Sequence, residues 1–199
     1  MNSKNSKWII IGVIVLFVFL SFSWFKNTYN TMVTMEEATT ATWSQVENVY
    51  QRRADLIPNL VNTVKGYASH EQETLEGVIE ARSKATSVTI DPTNLDANSM
   101  QQFQAAQDGL SSALSRLMVV VERYPDLKAN QNFLDLQAQL EGTENRITVE
   151  RRKFNETVQA YNAFIRLFPK NILANMAGFE KKAYFQAAAE AQKAPEVNF

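Results

Sequence analysis

Cysteine is absent from the 199 residues, histidine occurs once, and neither sign of charge is in excess: 20 Lys and Arg stand against 21 Asp and Glu, a formal net charge of -1. The first absence excludes disulfides, thiolate nucleophiles, thiolate metal sites and lipid attachment through a cysteine, and leaves the redox compartment open. A single histidine excludes the usual multi-imidazole ligand sets and leaves the hydroxyls no histidine but His70 to activate them. Without a basic excess, and with a pI of about 5.9, nucleic acid is not an expected partner. Glycine (6) and proline (5) are scarce. No glycine-rich phosphate loop or nucleophile elbow is present, strand signals are nearly missing, and few breaks remain to interrupt long helices.

What is present begins with an uncharged apolar run from Trp8 to Phe25. About eighteen residues at 1.5 Å each span about 27 Å, enough to cross a bilayer. Trp8 and Trp24 stand near its ends, where amphipathic rings favour the headgroup region, and Lys7 and Lys26 flank it. Ser21-Phe22-Ser23 loosely mimics a signal-peptide cleavage site, but the apolar core exceeds an ordinary signal core, so an anchor is expected. The remaining length and 45% hydrophobic content suit one domain. The division read from the sequence is a tail and transmembrane helix over 1–26, a helical bundle over 27–193 and a tail over 194–199.

Helical stripes fill the bundle region. Trp43, Val46, Tyr50, Arg53, Ile57, Leu60, Val64 and Tyr67 alternate steps of three and four, as a bundle seam requires. Pro58 falls inside this stripe and predicts a kink or helix restart near Asp55 to Asn59. A second helix is expected over Glu71–Thr86, ended by the turn-rich stretch Thr89 to Asn94, and a third over Leu95–Arg123, with Phe103, Leu110, Leu114, Leu117 and Val121 on one face. Tyr124-Pro125-Asp126 forces a corner. The longest stripe runs from Phe133 through Leu140, Thr143, Ile147, Arg151, Phe154, Val158, Tyr161 and Ile165 to Phe168, where Pro169 ends it, and a last short helix is expected near Asn171–Lys193. The fold class is therefore all-α: an N-terminal transmembrane helix followed by an antiparallel bundle of about four long helices.

Among candidate site residues, His70 beside Glu71 and near Glu73 lacks the second histidine that a transition-metal site needs, and reads as a helix-start or surface residue. Carboxylate pairs such as Glu36-Glu37 read as solvated helix faces. No catalytic, cofactor or metal residue is assigned. Arg53 and Arg151 are more informative, because a guanidinium on an apolar seam has to be paired or reach out to water, and each asks for an acidic partner. For Arg53 an antiparallel partner helix offers Glu144 first and Glu141 second. The alternative is that Arg52-Arg53 with Asp55 form a surface for a partner protein or an anionic lipid.

Several runs carry a family resemblance. Arg52-Arg-Ala-Asp-Leu-Ile-Pro-Asn-Leu-Val61 is followed by Val64-Lys-Gly-Tyr67 and His70-Glu71, and later by Glu122-Arg-Tyr-Pro-Asp-Leu-Lys-Ala-Asn130, Thr143-Glu-Asn-Arg-Ile147, Phe154-Asn155, Tyr161-Asn162 and Phe168-Pro169. This ordered series closely resembles the LemA family from Tyr29 to Phe199. The resemblance implies a bacterial, membrane-tethered antiparallel bundle and supplies a fold more than an activity. The asparagines of the aromatic-asparagine pairs are expected to hydrogen-bond between helices and fix their register. The expected function is a non-enzymatic scaffold or protein-interaction module binding a protein partner or a second copy, and the alternative is a sensory or small-ligand-binding bundle. Lys4 and Lys7 before the run, against Lys26 after it, predict an inner (plasma) membrane protein with its N-terminus cytoplasmic and its bundle outside.

Overall fold

A computed structural model describes residues 3–186, and every regular element among them is a helix. Helix α1, Ser3–Lys65, is 63 residues long, about 94 Å by the rise per residue. Over 8–25 its side chains are almost all exposed, whereas from Thr28 onward one face is buried through Met32, Thr39, Trp43, Val46, Tyr50, Arg53, Ile57, Leu60 and Val64. The apolar run and the first bundle helix are thus one uninterrupted rod.

Of the kink or restart expected at Pro58, the restart does not occur, since α1 runs through it. Proline has no N–H to give the carbonyl four residues back, which here belongs to the buried Ala54. That carbonyl instead accepts the Arg82 Nε–H from the next helix at 2.7 Å. Pro58 itself faces solvent. Tyr67, the last residue of the expected stripe, lies beyond the end of α1 and is exposed.

Helices α2 (Gln72–Ser87) and α3 (Ala97–Val121) pack on each other, and α2 also packs on α1. Asp96 caps α3 by accepting the backbone N–H groups of Asn98 and Ser99 at 2.7 and 3.0 Å. The expected corner is a one-turn helix, α4 (Pro125–Lys128), with proline at its start, after which Asn130 caps α5 (Gln131–Arg166) by accepting the Phe133 N–H at 3.1 Å. Helix α5 runs antiparallel to α1, so that Trp43 meets Phe154 with ring centroids 5.4 Å apart, while Met32 clusters with Ile165.

The last expected helix is shorter than its composition suggested. Helix α6, Lys170–Ala177, ends at Gly178, whose φ of 79° is a left-handed cap that favours glycine. From Phe179 to Gln186 the chain is a non-helical strap. The remainder of that expected helix and the tail over 194–199 lie outside the described residues.

Candidate functional site

The most concentrated buried polar site centres on Arg53. Its side chain is only 2% exposed. Nη1 donates to Glu144 Oε1 at 2.6 Å and to Ser111 Oγ at 3.0 Å, and Nη2 donates to Gln107 Oε1 at 2.6 Å. Gln107, itself buried, donates its Nε2–H to the Ala85 carbonyl at 3.1 Å. One guanidinium thereby joins α1, α3 and α5 directly and α2 through the glutamine. The Tyr50 ring lies beneath it, 5.1 Å from the guanidinium carbon. Burial pushes the Tyr50 hydroxyl above its ordinary pKa, against the opposing pull of Arg151 and Arg53.

Glu144 is the pair's outward end, its side chain 46% exposed. It borders a surface groove of about 330 Å³ that Ser111, Leu114, Met118, Leu140 and Glu141 also line. Glu141, the second choice for Arg53, contributes to that wall instead. Arg52 is exposed, and Asp55, also exposed, accepts from Gln51 Nε2 at 2.7 Å, so the structure does not join these two to the Arg53 network. His70 is exposed in the turn before α2, where Glu71 meets Arg123 at 3.0 Å and accepts from the Tyr124 hydroxyl at 2.9 Å. Among the described residues no group of three metal-capable side chains converges.

Arg151 departs from the expectation of an acidic partner. It donates Nη2–H to the Gln186 carbonyl at 3.2 Å and lies 4.6 Å from the Phe185 ring centre. A guanidinium can spend its donors on a carbonyl and its face on an aromatic ring, and here both belong to the strap.

The strap is also where the expected helix-to-helix role of the asparagines is corrected. Asn162 donates to the Lys182 carbonyl at 2.8 Å and accepts the Lys182 N–H at 3.0 Å, and Asn155 does the same for Phe185 at 3.0 and 2.9 Å. Gln104 of α3 repeats the pattern at Gln186. Each side-chain amide imitates the edge of a strand, so the non-helical backbone at Lys182, Phe185 and Gln186 has hydrogen bonds without a sheet. Phe185 then fills an aromatic cluster with Trp43, Phe103 and Phe154. Lys182, also buried, meets Glu36 at 2.8 Å and donates to the Thr93 carbonyl. The sequence placed Arg82 on the face of the second helix with Leu75, Val78 and Ile79 but assigned it no partner, and it singled out none of Gln107, Ser111, Gln104 and Lys182.

Comparison with known proteins adds the lineage. A family model described as LemA family matches residues 42–199. The chain is 30% identical over 175 residues to magnetosome protein MamQ 2 of Paramagnetospirillum magneticum, covering 79% of this chain and 64% of that protein. It is 28% identical over 174 residues to magnetosome protein MamQ of Magnetospirillum gryphiswaldense, with 79% and 64% covered. It is 27% identical over 145 residues to protein LemA of Metamycoplasma hominis, with 73% of this chain and 63% of that one covered. The chain therefore spans less than two thirds of the length of each of these relatives.

Proposed function

The chain belongs to the LemA family, and on that premise we propose that it is a membrane-anchored, non-enzymatic scaffold whose helical bundle binds a protein partner or a second copy of itself. The observation that carries this reading is the continuity of α1. A rod without a break between the apolar run and the bundle holds the bundle in a set orientation to the bilayer, which suits presentation of a surface. The use of the buried polar groups supports the non-catalytic part: Arg53 and Lys182 are spent on joining helices, loop and strap. By the lysine bias the anchor sits in the inner (plasma) membrane with the N-terminus cytoplasmic and the bundle outside.

Photo-crosslinking residues placed in intact cells at exposed bundle positions, including Arg52 and Asp55, test the scaffold reading. Discrete adducts of defined mass are expected, at twice the chain's mass if the partner is a second copy. Failure of every exposed position to give one refutes it. Alkaline phosphatase fused after Phe199 tests the orientation and is active only outside the cytosol, where its disulfides form. The groove beside Glu144 favours a second reading, a bundle that senses a small ligand. Its mark is ligand-dependent thermal stabilisation that is lost in a variant with the groove filled.

A further inference from the structure

Leu167, Phe168, Ile172 and Met176 are 55%, 81%, 53% and 77% exposed, and they lie together on the corner between α5 and α6 and the outer side of α6. Phe168, Ile172 and Met176 follow one another at four-residue steps, which puts Ile172 and Met176 on one face of the helix with Phe168 just ahead of it. The opposite face is already used: Leu173 and Ala174 are buried in a cluster with Met32, Tyr161 and Ile165. Helix α6 therefore has two apolar faces, of which the bundle covers one. A grouped patch of this kind marks an interaction surface.

Its place in the fold says what covers it. Met32, against which α6 packs, lies seven residues beyond Phe25, about 10 Å of helix rise. Tyr29, whose ring meets Phe179 at 5.7 Å, lies four residues beyond, about 6 Å. Helix α5 runs toward the apolar run and Ile165 clusters with Met32, so the corner at Phe168, three residues further on, lies about 4–5 Å nearer the end of that run, close to the level of Tyr29. The headgroup layer on each side of a bilayer is about 5–7 Å thick. Lys26 follows the apolar run, Arg166 and Lys170 flank the corner in the chain and Lys181 lies in the strap, with Glu180 and Glu36 as acidic neighbours, and the Lys170 ammonium stands 3.7 Å from the centre of the Phe164 ring. Apolar side chains with cations beside them in the chain suit an interface with anionic headgroups. A second copy seated on the patch would have to enter that same layer.

We infer that α6 and the corner before it dock on the bilayer surface, inserting Leu167, Phe168, Ile172 and Met176 among anionic headgroups, so that the domain is held to the membrane at two places. This rests on residues 8–25 spanning the bilayer. Because the chain has no native cysteine, single substitutions Phe168→Cys, Met176→Cys, Leu16→Cys and Val119→Cys each give one labelling position. The full chain, carrying an environment-sensitive fluorophore, is reconstituted in phosphatidylethanolamine and phosphatidylglycerol vesicles doped with brominated lipids. Labels at 168 and 176 should shift to the blue and be quenched more by bromines near the glycerol end of the acyl chain than by bromines near its tip. The label at 16, in mid-span, should show the reverse preference. The label at 119, close to Val121 at the far end of the bundle, should not be quenched. Quenching at 16 without quenching at 168 and 176 overturns the docking and leaves the anchor standing. No quenching at 16 overturns both. A label at 168 that is shielded from aqueous iodide yet beyond the reach of the lipid bromines shows a second copy on the patch, and equal quenching at 119 shows indiscriminate adsorption; either result overturns the inference.

Discussion

The replacement of Pro58's missing donor by Arg82 can be tested by a thermodynamic cycle. Arg82→Ala strips the Ala54 carbonyl of the Nε–H it accepts at 2.7 Å, in a residue that is 3% exposed. A bond from a charged donor contributes about 1.5–3 kcal/mol, and a buried carbonyl left without a partner costs about 1–3 kcal/mol, two views of one loss that should not be added. We expect about 2 kcal/mol of destabilisation, at the middle of both ranges. Pro58→Ala restores a backbone N–H one turn from the same carbonyl, so in that background Arg82→Ala should cost about 1 kcal/mol less, a coupling of the size seen for residues that share a partner. Urea unfolding in detergent, followed by Trp43 emission with Trp8 and Trp24 replaced by Phe, measures all four corners. Strict additivity, or an Arg82→Ala cost below about 0.5 kcal/mol, would show that the arginine does not substitute for the proline's absent donor.

Arg53→Ala removes three side-chain bonds and leaves Gln107 Oε1 buried, but Glu144 is half-exposed and water can receive it; the same unfolding assay should therefore show about 3 kcal/mol, the lower end for a broken buried pair. Glu144→Gln keeps an acceptor and should cost about 1 kcal/mol. Asn155→Ala and Asn162→Ala each take a donor and an acceptor from the strap, so limited proteolysis should cut within residues 179–186 faster in either variant than in the native chain, while α1 to α5 stay protected. Burial, reinforced by the carboxylates of Glu36 and Glu180, holds the Tyr161 hydroxyl well above its ordinary pKa of 10.0. A raised folded-state pKa gives stability that is complete below the unfolded value and lost as pH rises through the folded one, so Tm should fall above pH 10 and fall less in Tyr161→Phe.

The stripes were legible because burial on one side of a helix imposes a period that composition cannot disguise, and Trp43, Leu60, Phe103, Leu140 and Tyr161 all lie in the core. Arg53 was legible for a related reason. A guanidinium on a seam needs a carboxylate, and the antiparallel pairing of α1 with α5 offered Glu144, which the structure holds at 2.6 Å. The strap was not legible, since the sequence after Gly178 is rich in helix formers and nothing local announces that amides on two distant helices will take up its backbone. Tertiary hydrogen bonding outweighs propensity there, as it does at Pro58. Arg151 misled because its partners, a carbonyl and a ring, leave no charge pattern in the sequence.

The unbroken α1 also fixes an angular phase. Each residue added between Phe25 and Thr28 would turn the bundle by about 100° about the helix axis and lift it by about 1.5 Å. One insertion would swing α6 from one side of the rod toward another while barely changing its height. Seven would raise the bundle by about 10 Å and return it to within about 20° of its starting azimuth. The length of helix between the apolar run and Thr28 thus acts as a dial for direction as well as a spacer for height.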